Sequence, residues 1–106
     1  GIKRKRQSKE EILMDYFKDI GYPLEGLRVK NRKLEFVLHR NIYMYVLKTE
    51  FLWTYTMIEE YMLRNHATVI NSMKQTHNWL KNDKEFSKLI NGHLENIDKA
   101  LRNGTQ

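Results

Sequence analysis

The chain has 106 residues, which suits a single domain, and its 19 Lys and Arg outnumber 13 Asp and Glu to give a formal net charge of +6. The absence of Cys excludes a disulfide scaffold, a thiol nucleophile and the usual cysteine-containing zinc sites. One Pro and five Gly argue against a fold with many tight β-turns, so the composition predicts a small, basic, all-α protein whose surplus charge favours nucleic acid or an anionic membrane as a partner.

The first helix is predicted to begin at Ser8. Residues 1–7 contain four consecutive basic side chains that repel one another, and we expect this segment to be a disordered basic tail. The residues from Ser8 to Glu11 match a capping box, and apolar side chains then recur at helical spacing as far as Gly21, a favoured residue beyond a helix end. We expect residues 8–103 to form a single domain.

The next part of the chain combines a basic loop with a strongly apolar helix. Residues 24–27 are predicted to form one short helical turn after the preceding Pro. Residues 28–33 carry four positive charges and no negative one, which indicates an exposed loop. Apolar residues are then dense on all sides from about Glu35 to Thr49, and a helix of this kind lies at the centre of a fold.

The second half of the chain predicts three further helices. Thr54 and Asn65 are favourable N-caps for helices over residues 54–62 and 66–80, and a capping box at residues 82–85 precedes the last helix. Spacing predicts that the last two helices bury Val69, Met73, Thr76, His77 and Leu80, and then Phe86, Leu89, Ile90, His93, Ile97 and Leu101. The expected architecture is an all-α bundle of five to six helices.

The short link between the helices at 54–62 and 66–80 gives the layout of a helix-turn-helix. In that motif the second helix enters the major groove of DNA, and its N-terminal residues reach the base edges. Here that end reads Arg64-Asn65-His66-Ala67-Thr68, and Lys74 follows at a position suited to the DNA backbone. The alternative is that Asn65 only caps the helix and the rest is solvated surface, since most helical bundles contain two helices with a short link.

The basic loop is the second candidate for contact with DNA. Clustered positive charge displaces counterions from DNA and can enter a minor groove. The loop supplies Arg28, Lys30, Arg32 and Lys33 for this purpose. The alternative is that these charges are only solvated, as most charge runs are.

Three runs of residues follow one another in an order typical of one family. Residues 39–50 contain Arg-Asn-Ile-Tyr-Met-Tyr, which is similar to R-Q-I-A-M-Y, and residues 30–33 occupy the place of a basic loop. Ile58, Tyr61 and the sequence Arg-Asn-His-Ala-Thr-Val at 64–69 are similar to a signature that ends in R-D-H-T-T-V. Over nearly its whole length, the chain resembles the C-terminal domain of DnaA, the bacterial replication initiator.

This resemblance implies a helical bundle whose helix-turn-helix reads a short duplex site, the DnaA box. It implies that His66 contacts a thymine methyl group, that Asn65 faces a base, and that Thr68 contacts a base or the backbone. With the neighbouring Ala67, these four residues are the predicted base contacts. The predicted contacts to the DNA backbone or minor groove are Lys30, Arg32, Lys33, Arg40, Arg64 and, from the helix pattern, Lys74.

The chain departs from the family at three places in the signature. Asn65 replaces Asp, which turns an acceptor into a donor and acceptor and favours adenine over cytosine. Ala67 replaces Thr and loses one polar contact. Met62 and Leu63 replace two glycines in the turn, where positive φ is easiest for Gly, so we expect a turn of different shape. We infer sequence-specific binding to a DnaA-box-like site or a variant of it.

Other functions find little support in the sequence. No P-loop motif is present, so we expect no bound nucleotide, and we expect no cofactor or metal and no enzymatic activity. His66 and His77 lie about 16 Å apart along one helix and cannot share a metal ion, and His77 and His93 are interpreted as core-edge residues rather than as ligands. The expected location is the cytoplasm, on the nucleoid or in a phage-infected host, without membrane association.

The rival hypothesis is a protein-interaction module that has kept the family fold and lost specific DNA binding. The missing glycines and Ala67 favour it, and Met62 and Leu63 exposed at the turn would form an apolar contact patch. Replication or regulatory proteins are expected as further partners beside duplex DNA.

Overall fold

The structure, a computed structural model, describes residues 7–104. These residues form six helices and no strand: α1 (Lys9–Asp19), α2 (Leu24–Arg28), α3 (Leu34–Thr49), α4 (Tyr55–Met62), α5 (His66–Asn82) and α6 (Lys84–Gly104). The predicted all-α bundle is therefore confirmed. The proposed disordered tail falls on residues 1–6, outside the described part, and on Gln7, whose amide donates a hydrogen bond to Asp15 at 2.7 Å.

Side-chain caps set most of the helix starts. The three predicted N-caps are confirmed: the side-chain oxygens of Ser8, Thr54 and Asn65 accept hydrogen bonds from the backbone N–H groups of Glu11, Met57 and Thr68. The prediction for the last helix is displaced by one residue, because Asp83 rather than Asn82 accepts from the N–H of Phe86, at 3.0 Å. Helix α5 consequently runs to Asn82, and a single residue links it to α6.

Helix α3 lies at the centre of the bundle, as its apolar composition predicts. It packs against α2, α4, α5 and α6, and nine of its residues are buried. The ring of Tyr43 stacks on Phe17 of α1 with centroids 4.6 Å apart. The buried amide of Asn41 donates to Gln75 of α5 at 2.9 Å, so a hydrogen bond as well as apolar packing fixes α5 on α3.

Two of the residues that spacing predicts to be buried are instead exposed. On α5, Trp79 is buried and His77 is exposed, because the tight link to α6 stacks the indole on Phe86 with centroids 4.8 Å apart. His77 instead lies at the outer edge of α3, with its ring against Tyr45. On α6, Leu89 is half exposed. Residues at the edge of the apolar face of a helix are buried only where another helix packs on them. The spacing of residues within one helix does not show where that other helix packs.

The bundle brings α4 and α5 together at one end, where residues 63–65 connect them. Both helices also contact α3, which fixes their positions against the core. Among the described residues, no helix combines the length and the apolar character that crossing a membrane requires.

Candidate nucleic-acid interface

The turn between α4 and α5 contains a leucine in the left-handed conformation. Leu63 has φ 55° and ψ 48°, the geometry that a glycine adopts most easily. The premise that Leu does not tolerate positive φ is therefore wrong at this position, and the expected difference in the shape of the turn stays a prediction. Met62 is fully buried and cannot belong to an exposed patch, whereas Leu63 is 64% exposed. Burial of Met62 anchors the end of α4, and the chain then turns through Leu63 into α5.

The first turn of α5 is capped but open to solvent. Asn65 uses its side-chain oxygen to accept the hydrogen bond from Thr68, so its amide N–H groups are the part left for another partner. Ala67 is exposed and Thr68 is half buried. The first backbone N–H groups of a helix have no partner within it, so they favour an anion at this end.

His66 is the most prominent side chain at this end of α5. It is 67% exposed, and its Nδ1 lies 3.0 Å from a carboxylate oxygen of Glu59 on α4. The ring also meets the ring of Tyr55 edge to face, with centroids 5.9 Å apart. Glu59 and Tyr55 thus orient the imidazole, and Nε2 and the ring carbons remain available for contact with a base.

The outward face of α5 extends beyond the residues that the sequence motif predicts. Ala67, Asn71, Lys74, Asn78 and Lys81 recur at intervals of four and three residues, all exposed, opposite the buried Val69, Met73 and Thr76. The helix contains no Asp or Glu in 17 residues. Sequence reasoning identified only Lys74 on this face beyond the first turn, although the helical period already placed Asn71 and Asn78 beside it.

Three of the four basic side chains predicted for the loop point into solvent. The prediction is wrong for Arg28, which is the last residue of α2 and is half buried, because its guanidinium donates to the carbonyl of Tyr61. Lys30, Arg32 and Lys33 are all exposed, as their proposed contact with DNA requires. Asn31 shapes the loop locally, because its side-chain oxygen accepts a hydrogen bond from the N–H of Lys33 at 3.0 Å. The loop thus presents three cations on a short, internally bonded segment.

Arg40 does not have the position expected of a phosphate ligand. Its side chain is buried, with 7% of the residue exposed. It donates hydrogen bonds to the backbone carbonyls of Leu27, Val29 and Asn31 at 2.8, 3.2 and 3.1 Å. The predicted phosphate contact therefore does not fit Arg40, which supports the basic loop from inside the protein. The resemblance implied a phosphate contact for Arg40. The sequence alone does not show that backbone carbonyls of residues 27–31 lie beside this side chain.

Arg64 joins the turn to the basic loop. It donates to the carbonyls of Leu27, Arg28 and Val29 at 3.2, 2.7 and 2.9 Å. In the reverse direction, Arg28 donates to the carbonyl of Tyr61 at 2.8 Å and lies over its ring. The loop and the start of α5 therefore lie on the same side of the molecule.

The two central arginines carry positive charge that no carboxylate compensates. Burial lowers the pKa of Arg64 and of Arg40, and the nearby charge of Arg64 lowers the pKa of Arg40 further. Arginine nevertheless remains protonated at physiological pH. Within residues 7–104, neither guanidinium forms an ion pair with Asp or Glu. The charges of these two arginines are therefore not neutralised by a direct carboxylate partner.

The remaining histidines lie elsewhere. His39 stacks on Tyr22 of the α1–α2 link with centroids 3.7 Å apart, and His93 accepts from or donates to the hydroxyl of Tyr16 at 2.7 Å. The rings of His39 and His93 meet edge to face, whereas His77 contacts a different ring. In the part of the chain that the structure describes, no group of three His, Asp or Glu side chains is arranged to hold a metal ion.

The chain matches no protein-family model, no curated protein and no solved structure. Its resemblance to the DnaA C-terminal domain accordingly rests on the residues of the two motifs and the basic loop.

Proposed function

We propose that this protein binds duplex DNA in a sequence-specific manner, with α5 in the major groove and the basic loop at the adjacent minor groove. The observation that carries the proposal is the adjacency of two surfaces, an outward helix face without acidic residues and an exposed loop with three cations. An α-helix fits the width of the major groove, and positive charge without nearby carboxylates suits the phosphate backbone.

The start of α5 provides the groups that distinguish bases. Asn65 retains amide donors, His66 retains its outer ring edge, and Ala67 offers a methyl group of the kind that contacts thymine. Asn71, one turn further, offers an amide that pairs well with adenine. This set of side chains favours a site rich in A·T base pairs.

The exposed basic residues of the loop and of α5 provide affinity without discrimination. Lys30, Arg32 and Lys33 approach phosphates or the minor groove, and Lys74 and Lys81 approach phosphates along α5. These contacts do not depend on base identity, and each one adds to the salt dependence of binding.

The biological setting of the proposal comes from the resemblance alone. A DnaA-like domain implies a DnaA-box-like site or a variant, a role in the initiation of replication or in regulation, and a location in the cytoplasm. Asn65 in place of Asp favours a variant site.

Selection of bound duplexes from a pool with a randomised centre tests the proposal. We expect an enriched motif that contains A·T pairs, and we expect its affinity to fall steeply between about 50 and 200 mM salt. Enrichment of no motif, with weak binding to every duplex, would leave only non-specific electrostatic attraction and would contradict sequence-specific recognition.

The second candidate is a protein-interaction module. The exposed Leu63 and a shallow groove lined by Trp53, Met57, Glu60 and Tyr61 favour it. The same binding measurement separates the two, since a module of this kind shows no preference among duplexes.

A further inference from the structure

Arg64 has more hydrogen bonds to backbone carbonyls than any other side chain in the described part of the chain. Nη1 donates to Arg28 and Leu63, with a longer contact of 3.5 Å to Met62, and Nη2 donates to Leu27 and Val29. Three of these carbonyls belong to α2 and the start of the basic loop, more than thirty residues away in the sequence. The guanidinium thus spans the gap between two parts of the proposed interface.

We propose that Arg64 is a positioning residue that holds the basic loop in register with the start of α5, so that both engage one duplex as a single rigid unit. This inference rests on the proposed function. It assigns to Arg64 an indirect role in place of the direct contact with DNA that the family resemblance implies.

The geometry requires arginine rather than positive charge alone. The guanidinium presents donors in a planar fork, and here the two ends of the fork reach carbonyls of different residues in the loop. A lysine at this position has the same charge but a single ammonium group on a flexible stem. Its three N–H donors radiate from one nitrogen atom, so it cannot reproduce the contacts that the fork makes from two nitrogen atoms.

Positioning of this kind has a consequence for binding. A loop that is already ordered loses less conformational entropy when it meets the minor groove. Arg28 contributes to the same order, because its hydrogen bond to Tyr61 joins the loop to α4 in the reverse direction. A substitution that loosens the connection between the basic loop and the α4–α5 turn should therefore weaken DNA binding, even though every group that contacts DNA is still present.

The first arm of the test needs no DNA. Arg64→Lys keeps the charge, and Arg32→Lys is the matched control at an exposed position of the same loop. In the free protein, ¹⁵N relaxation of the amides at 28–33 should show faster and larger motion in Arg64→Lys and no change in Arg32→Lys. Thermal melting establishes that each variant is folded. If Arg64→Lys does not fold, Arg28→Lys, which breaks the bond to Tyr61, serves in its place.

The second arm is a double-mutant cycle on the selected duplex. Arg64→Lys alone should weaken binding about tenfold. In a protein whose loop cations are already removed by Lys30→Ala, Arg32→Ala and Lys33→Ala, the same change should weaken binding by less than about twofold, because the loop that Arg64 positions no longer contributes.

Two results would overturn the inference while leaving the proposed function intact. One is unchanged loop motion in Arg64→Lys. The other is an equal loss of affinity with and without the loop cations, which would show that Arg64 itself touches DNA. Absence of DNA binding by the unmodified protein would instead overturn the proposed function and the inference together.

Discussion

The proposed interface and the α1–α6 pair contain equal numbers of basic residues but differ in their acidic residues. Residues 28–33 together with α5 carry six Lys and Arg and no Asp or Glu, whereas α1 and α6 together carry six Lys and Arg and seven Asp and Glu. The net charge of +6 therefore does not describe the whole surface. What separates the two regions is the exclusion of acidic side chains from one of them.

Helix α4 shows the limit of this separation. Glu59 lies beside the start of α5, but its carboxylate is engaged with His66 at 3.0 Å. This carboxylate lies beside the surface that is proposed to bind DNA phosphates. It orients the imidazole of His66 there. The acid that does lie at the interface thus contributes to the geometry of the site.

The strongest test of the contrast between the two regions removes three charges from each. Lys30→Ala, Arg32→Ala and Lys33→Ala together should lower the affinity for every duplex about 100-fold at low salt and reduce the slope of log affinity against log salt by about 2 to 3. The matched control is Lys9→Ala, Lys88→Ala and Lys99→Ala, three exposed lysines of α1 and α6. Equal losses in the two proteins, measured by fluorescence anisotropy, would mean that only total charge matters.

A finer test separates base recognition from charge within the interface. His66→Ala should weaken binding to the selected site by about 1–3 kcal/mol and leave binding to unrelated duplexes nearly unchanged. Asn65→Asp keeps the cap acceptor that Thr68 requires and removes the amide donors, so selection should shift from adenine towards cytosine. Uniform loss on all duplexes would contradict a role in reading bases.

The turn offers a test that concerns stability rather than binding. Leu63 and Leu52 have φ 55° and φ 57°, and their side chains are 64% and 80% exposed. Leu63→Gly should raise the free energy of unfolding by about 0.5–1 kcal/mol, since the left-handed conformation is unfavourable for Leu and little packing is lost. Leu52→Gly is the matched change outside the interface. Urea denaturation measures both, and DNA affinity should remain unchanged if Leu63 touches no partner.

The smallest expected effect lies in the α1–α6 region and depends on pH. Burial lowers the pKa of His39 and of His93, and for His93 the nearby His39 adds to the effect. The unfolded chain takes up protons near the ordinary pKa of about 6.5, before the folded protein does, so stability should fall as the pH drops below that value. Tyr16, Tyr22 and Glu35 face this pair, and the backbone carbonyl and the charge of Glu35 act against the lowering of the pKa of His39.

Thermal melting between pH 7.5 and 5 measures this effect, and the stated decrease in stability should be smaller in His93→Gln. His77→Gln, a change on the exposed surface, should retain it. A pH dependence that is the same in all three proteins would show that the His39–His93 pair is not its source.

The sequence predicted local features of this fold better than distant contacts. The caps at Ser8, Thr54 and Asn65 depend on residues three positions away, and all three predictions are confirmed. Which of Trp79 and His77 is buried depends on how α6 departs from the end of α5, and spacing within one helix contains no such information.

The same distinction applies to the candidate site. The exposure of Lys30, Arg32 and Lys33 follows from a run of like charges that no core accommodates. The positions of Arg40 and Arg64 could not be predicted in this way, because their partners are loop carbonyls up to 37 residues away. A motif shows which residue types recur, but it does not distinguish an arginine that meets DNA from one that supports the residues that do.

Two carbonyl oxygens beneath the loop have two arginine donors each. The carbonyl oxygens of Leu27 and Val29 each accept hydrogen bonds from both Arg40 and Arg64. A carbonyl oxygen has two lone pairs, so loss of one arginine leaves each of these oxygens with a partner. Substitution of Arg64 should therefore be tolerated by the fold, and its effect should be confined mainly to the accuracy of the loop's position.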